Sequence, residues 1–271
     1  MQLRFLVTVT LREGRMNILV IGDVVSSKGC EFLRGVLPPF KKLKGIDLCI
    51  ANGENSAVGN GITPFSAQYL FDSGVDFLTT GNHVYRRREF YEMLDERDDI
   101  IRPANFFKGN PGKGYAEIDL GFAKAGVINL AGTVYMDRCD NPFLTVDEIL
   151  PKLSDCKIIL VDFHAEATAE KRAMGFYLDG RVSAVFGTHT HVMTNDAVIL
   201  PNGTAYITDI GMTGPKNSVL GVKPEISIEW LKTGMPARFD TAEGECMLNG
   251  CIFEIDNKTG KALSAEPVII E

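Results

Sequence analysis

NILVIGDVV, residues 17–25, is an unbroken apolar run that ends in Gly-Asp and leads into a stretch with helical periodicity from about Glu31 to Lys44. Without polar alternation, such a run reads as a strand buried on both faces. A buried strand feeding a helix is how an α/β layer begins. The pattern recurs downstream. DLCIANGEN (47–55) predicts a strand, Pro64 to Ser73 a helix, VDFLTTGNH (75–83) a strand, and Arg87 to Glu96 a helix.

Each of these strands ends in a polar cluster: Asp23, Glu54-Asn55, and Asn82-His83. Open α/β sheets bind ligands beyond the carboxyl ends of their strands, so the three clusters are expected on one rim. The second half supplies AGVINLAG (125–132), KIILVDFH (157–164), VSAVFGTHTH (182–191), TAYITDIG (204–211) and a late strand pair near Cys251–Glu254 and Glu266–Ile270, with fewer long helices expected between them. No long linker, internal repeat or low-complexity tract interrupts the chain. The expectation is one domain of two packed sheets with helices outside.

Composition narrows the function classes. Of 271 residues, 45% are hydrophobic and 23% charged, enough to close a sizeable core. The net charge of −7 argues against bulk nucleic-acid binding, which needs a clustered basic surface. Arg86-Arg87-Arg88 is the one dense basic run, and a solvated helix start explains it better than a phosphate contact. Six cysteines at 30, 49, 139, 156, 246 and 251 form no Cys-x-x-Cys pair and read as reduced thiols of a cytoplasmic protein. No apolar stretch is long enough for a membrane span. Residues 1–15 hold a short apolar run broken by threonines and followed by charge, which does not match a signal peptide. They read as an extension to a domain spanning 16–271, and a chain starting at Met16 is expected to keep its activity.

There are four histidines, and each follows an apolar strand: GNH (81–83), DFH (162–164) and GTHTH (187–191). Any one alone would more often be a hydrogen-bonded core or surface histidine. As a set, His83, His164, His189 and His191 with Asp23, Glu54, Asn55 and Asn82 offer the mixed oxygen and imidazole donors that suit a pair of first-row metal ions. Paired metals clamp a phosphate and lower the pKa of a bridging water for in-line attack on phosphorus. Glu54, an acid between Gly53 and Asn55, is the natural bridge; Asp23 reads equally as a ligand or a helix N-cap. Asp162, Glu166, Thr188 and Asp209 lie close enough in sequence to orient the imidazoles, or to be ordinary turn residues. Gly112 and Gly114 read as a plain turn.

The order GDV, GEN, GNH, DFH, GTHTH resembles the calcineurin-like metallophosphoesterases. More narrowly, IGDVV (21–25), NGEN (52–55), GNH, RPANF (102–106), PGKG (111–114), DFHAEAT (162–168), GTHTHV (187–192) and AYITDIGMTGP (205–215) resemble the bacterial YmdB-type branch, whose members are described as cyclic-nucleotide phosphodiesterases. The chain has Val25 where the wider superfamily has histidine, and Glu54 where it has Asp, as in that branch. The resemblance implies a four-layer αββα sandwich of two mixed β-sheets flanked by helices. It implies metal one on Asp23, Glu54, Asn55 and His191, and metal two on Glu54, Asn82, His164 and His189, with His83 as proton donor to the leaving group. The metals implied are iron first, then manganese or zinc. The implied substrate is a small phosphodiester, 2′,3′- or 3′,5′-cyclic nucleotides above others. A phosphomonoesterase or protein phosphatase on the same core, and a metal-binding regulatory protein of low activity, are the alternatives. Homo-oligomer formation is compatible with this sequence.

Overall fold

Strand β1 (Arg15–Ile21) sends successive side chains to opposite faces, and both faces are buried. Ile18 and Val20 pack into the core between two sheets. Leu19 and Ile21 pack under a layer of helices. A period-two element with two cores to fill has no reason to alternate polar and apolar residues, which is why its sequence is continuously apolar. The computed structural model describes residues 14–271, so most of the 1–15 extension lies outside the described residues. Arg15 already pairs with Asp256 in the first strand.

Short β2 (Asp23–Val24) follows, then α1 (Ser26–Lys44), β3 (Leu48–Asn52), α2 (Pro64–Asp72), β4 (Phe77–Thr79) and α3 (Tyr91–Glu96). The second half adds β5 (Tyr115–Asp119), β6 (Lys124–Ala131), α4 (Pro142–Ile149), β7 (Ile158–His164), α5 (Thr168–Leu178) and β8 (Ala184–Thr188). It closes with β9 (Val198–Ile199), β10 (Ala205–Ile207), β11 (Met212–Pro215), α6 (Pro224–Thr233), β12 (Cys246–Asp256) and β13 (Ala262–Ile270). One sheet runs β2-β11-β12-β1-β3-β4, with β13 added to β12; the other runs β5-β6-β7-β8-β10-β9. Both are mixed. β1, β3 and β4 are parallel while β12 is antiparallel to β1. β6, β7, β8 and β10 are parallel while β5 and β9 are antiparallel edges.

Three cores define four layers. Val127, Leu160 and Phe186 of the second sheet meet Ile18, Val20 and Phe253 of the first between the sheets. Leu33, Leu37, Leu70 and Leu94 of α1 to α3 cover the outer face of the first sheet. Val146, Met174 and Leu178 of α4 and α5 cover the second, against Ile128 and Val161. The αββα sandwich expected from the sequence is the observed fold.

Two local readings need correction. α1 begins at Ser26, five residues before the periodicity becomes clear, because Gly29 weakens the helical signal. That glycine is required by packing: a Cβ there would overlap the Thr213 carbonyl of β11. The second half also carries three helices, of which α5 has 11 residues and α6 has 10.

Candidate metal centre

The parallel strands of both sheets point their carboxyl ends at one rim. Asp23 stands in β2, just past the end of β1, Glu54 and Asn55 follow β3, and Asn82 and His83 follow β4. From the other sheet, His164 ends β7, and His189 and His191 follow β8. All eight side chains singled out from the sequence are brought to this rim. Asp23 is not a helix cap, since Val25 occupies that position in α1.

His164 is fully buried and its tautomer is fixed from behind. Thr188 Oγ1 donates to Asp162 Oδ1 at 2.7 Å, so it can only accept from His164 Nδ1–H, 2.9 Å away. Thr79 Oγ1 donates to the other carboxylate oxygen, Oδ2, at 2.5 Å. Nε2 is thereby turned to the rim. There it meets Glu54 Oε1 at 3.1 Å, Asn82 Oδ1 at 2.9 Å and His189 Nδ1 at 3.1 Å. Donor atoms of Glu54, His164 and His189 lie within 4.8 Å of one another. Gly81 makes room for this convergence: a Cβ there would overlap both His164 Nε2 and Glu54 Oε2.

A second convergence adjoins the first. Asp23 Oδ1 is buried with no hydrogen-bond partner and lies 3.7 Å from His191 Nε2. His191 Nδ1 donates to the Leu220 carbonyl at 3.2 Å, which leaves Nε2 without a proton and able to accept. The Asn55 amide nitrogen is 3.3 Å from that Nε2 and its oxygen is 2.8 Å from His83 Nδ1. A ligating Asn55 would need its amide turned end for end.

The electrostatics favour a cation between these groups. Burial would push the Glu54 carboxyl up, but the charge and hydrogen bond of His164 override it and hold the group at about 2. Burial would lower His164, yet Glu54 and Asp23 raise it to about 9. Burial and then the His164 charge push His189 down to about 3. Burial raises Asp23. The proton that His164 Nε2 thus carries toward the Glu54 carboxylate occupies the position toward which four donors point, which is where a metal ion would take its place. The orphaned Asp23 oxygen and the oxygen-rich donor set fit metal binding.

Backbone strain marks the same place. His189 and His191 have φ of 99° and 62°, in the region that disfavours side chains with a Cβ. Asp209 holds this turn, accepting from Thr190 N at 3.2 Å and Thr190 Oγ1 at 2.8 Å. Lys171 of α5 clamps it from beneath, 2.6 Å from Asp209 Oδ2 and 2.8 Å from the Thr188 carbonyl. Glu166 Oε2 lies 3.2 Å from His189 Nε2. The orienting role considered for Asp162, Glu166, Thr188 and Asp209 has contacts for each. Thr79, Asn52 and Lys171 escape sequence reading. Asn52 Nδ2 donates to the Thr80 carbonyl at 3.2 Å, and polar strand residues or a helix lysine carry no distinguishing signal. Gly112 sits in a bend at φ 87°, and Arg87 donates to the Asn60 and Val58 carbonyls, bracing residues 58–60.

His83 lies beside this double convergence. Its backbone N–H donates to Glu54 Oε2 at 2.9 Å and its Nδ1–H to Asn55 Oδ1, which turns Nε2 toward solvent. Burial draws its pKa below the ordinary histidine value. A cleft of about 380 Å³ opens here, lined by Glu54, Asn55, His83, His189 and His191 together with Leu220, Val222 and Phe239.

Two stacked mixed sheets with Asp, Glu, Asn and His gathered on one rim define the calcineurin-like metallophosphoesterase fold. NAD nucleotidase from Haemophilus influenzae shares that fold at a TM-score of 0.53 and 14% identity, over 95% of this chain and 55% of that one. Within this class, the chain belongs to the family described as YmdB-like protein, which matches residues 19–268. It is 45% identical to the 2′,3′-cyclic-nucleotide 2′-phosphodiesterase of Bacillus subtilis, over 94% of this chain and 97% of that protein. It also resembles the crystal structure of a novel phosphatase from Mycoplasma pneumoniae, with a TM-score of 0.90 and 35% identity, over 94% of this chain and 93% of that one.

Proposed function

We propose that the cleft hydrolyses small phosphodiesters, with 2′,3′-cyclic nucleotides first and 3′,5′-cyclic nucleotides next. The relatives are named phosphodiesterase and phosphatase, and the chain is a phosphoric ester hydrolase. The observation that carries the reading is the double convergence: three groups on His164 Nε2, and the unpaired Asp23 oxygen facing His191. Asp23, Glu54, Asn55 and His191 would hold one metal ion, and Glu54, Asn82, His164 and His189 the other. Metal ions bound there would supply phosphoryl polarisation and a nucleophilic water at neutral pH. Three imidazoles among oxygen donors favour iron, then manganese or zinc. Thr188, Asp162 and Thr79 behind His164 and the clamp beneath the histidine turn keep these donors in place.

His83 is the group left for proton transfer. With the Asn55 amide turned to ligate through its oxygen, its N–H would face His83 Nδ1, and the ring's one proton would sit on Nε2, the atom that gives it to the departing alkoxide, a contribution of about 10²–10⁴-fold. A cleft of about 380 Å³ has the size of a nucleotide site. Phosphomonoester hydrolysis is the second reading, favoured by the phosphatase name of the Mycoplasma pneumoniae relative. Among the described residues no helix is long and apolar enough to cross a membrane, and all six cysteines are free, which supports the cytoplasm as the place of action.

The test compares wild type, Glu54→Ala and His83→Ala for metal content and for hydrolysis of an aryl phosphodiester, an aryl phosphomonoester and cyclic nucleotides. Two metals per chain with diesterase activity, both lost in Glu54→Ala, are expected, and His83→Ala should keep its metals while turning over more slowly. Preference for the monoester would move the assignment to the second reading. Equal loss of metal and activity in His83→Ala would make His83 a ligand.

A further inference from the structure

The apolar wall of the cleft has no part in the chemistry above. Phe239 lies in a segment without helix or strand, 44% exposed, and lines the same cleft as Glu54, His83, His189 and His191. A phenyl ring left in water forfeits a large share of its burial energy, so one held open beside a polar centre calls for a flat, apolar group to cover it.

Two observations indicate that the ring is placed there by design of the fold. Trp230 of α6 meets it in a T-shaped contact, with centroids 5.6 Å apart and planes at 81°, which fixes the ring plane. The backbone beside it is tied to the turn that orients a metal-side histidine. Lys223 N–H donates to the Asp240 carbonyl at 3.0 Å and Ala242 N–H to the Gly221 carbonyl at 2.9 Å. Leu220, in the same turn, carries the carbonyl that accepts from His191 Nδ1. The ring and the histidine are therefore held in register by one turn, whose Leu220 and Val222 line the same cleft.

We propose that Phe239 is the nucleobase platform of this enzyme: the base of a cyclic nucleotide stacks on its ring while the phosphate lies at His83 and the histidine turn. This inference rests on the phosphodiesterase reading. It divides the cleft into a polar side that recognises any phosphodiester and an aromatic side that selects those carrying a base. Purines, with the larger ring system, gain more than pyrimidines.

The experiment measures kcat and KM of metal-loaded wild type, Phe239→Ala and Phe239→Trp on 2′,3′-cyclic AMP, 2′,3′-cyclic CMP and base-free glycerol 1,2-cyclic phosphate. Phe239→Ala should raise KM for the adenosine substrate about ten-fold, from the usual strength of base-aromatic stacking. The cytidine substrate should suffer less, the base-free diester should be unaffected, and Phe239→Trp should restore binding. An equal fall on all three substrates would make Phe239 a structural residue, and no change on any would leave the base elsewhere; either result overturns the platform while the phosphodiesterase reading stands. Wild type inactive on all three would instead overturn that reading, and the platform with it.

Discussion

The hydroxyl of Thr188 stands between a carboxylate and an imidazole, and the direction of its one proton decides which nitrogen of His164 is free. Thr188→Val keeps the shape and removes the acceptor, leaving His164 Nδ1–H unpaired in a fully buried place. Metal affinity should fall about 10–100-fold with the fold intact, as read by metal titration. An unchanged affinity would show that the ring is held without it. His164 also sets a proton balance. In the metal-free protein its pKa is about 9, so at pH 7 it is protonated, and a metal that takes Nε2 must displace that proton. Apparent affinity should then rise with pH up to about 9 and flatten above, with about one proton released per metal at pH 7 from this group. Calorimetric titration in two buffers of different ionisation heat measures it; no release would mean a neutral His164. Scarcity made the candidate site legible, since four histidines all at strand ends are hard to read as chance. Thr79 and Asn52 had no such mark, because polar residues in strands are ordinary until the other sheet places the Asp162 carboxylate 2.5 Å from Thr79 Oγ1 and 3.3 Å from Asn52 Nδ2.

Helix α5 shows how an element serves the centre without touching it. Lys171 is 2% exposed, and its ammonium joins Asp209 to the Thr188 carbonyl under the strained histidine turn. Lys171→Met leaves Asp209 buried without its counter-charge and should destabilise the protein by about 3–5 kcal/mol in urea unfolding. Adding Asp209→Leu should recover much of that stability, because no charge is then stranded. Metal content should stay low in the double variant, since Thr190 has lost both bonds to Asp209. Recovery of metal along with stability would show that the pair holds the fold and not the turn. The strands buried on both faces were legible from continuous apolar runs. Element α5 was not, because its amphipathic stripe is interrupted by a buried lysine and by Gly175, beside which Tyr206 packs. Strands β9 and β11 are two and four residues long, and β11 ends in proline, so neither gives a period to read.

At the scale of the whole molecule, the centre is where two sheets meet through donors and not only through side-chain packing. Asp23, Glu54, Asn55 and Asn82 come from one sheet and His164, His189 and His191 from the other, so metal ions held by these residues would cross-link the halves of the sandwich. The unfolded chain has no such arrangement, and metal binding therefore adds directly to folding stability. At a free metal concentration about a hundred times the dissociation constant the gain is about 2.7 kcal/mol. For a chain of this size that moves the unfolding midpoint by about 5 °C or more. Chelation should lower the midpoint of wild type by that amount, and readdition of iron or manganese should restore it. Glu54→Ala, which removes the residue proposed to be shared by both metal ions, should unfold at the same temperature with and without chelator. A wild-type midpoint indifferent to chelation would mean that the sheets are held by the Ile18, Val20, Leu160 and Phe186 core alone, and that the rim binds metal too weakly to report on the fold.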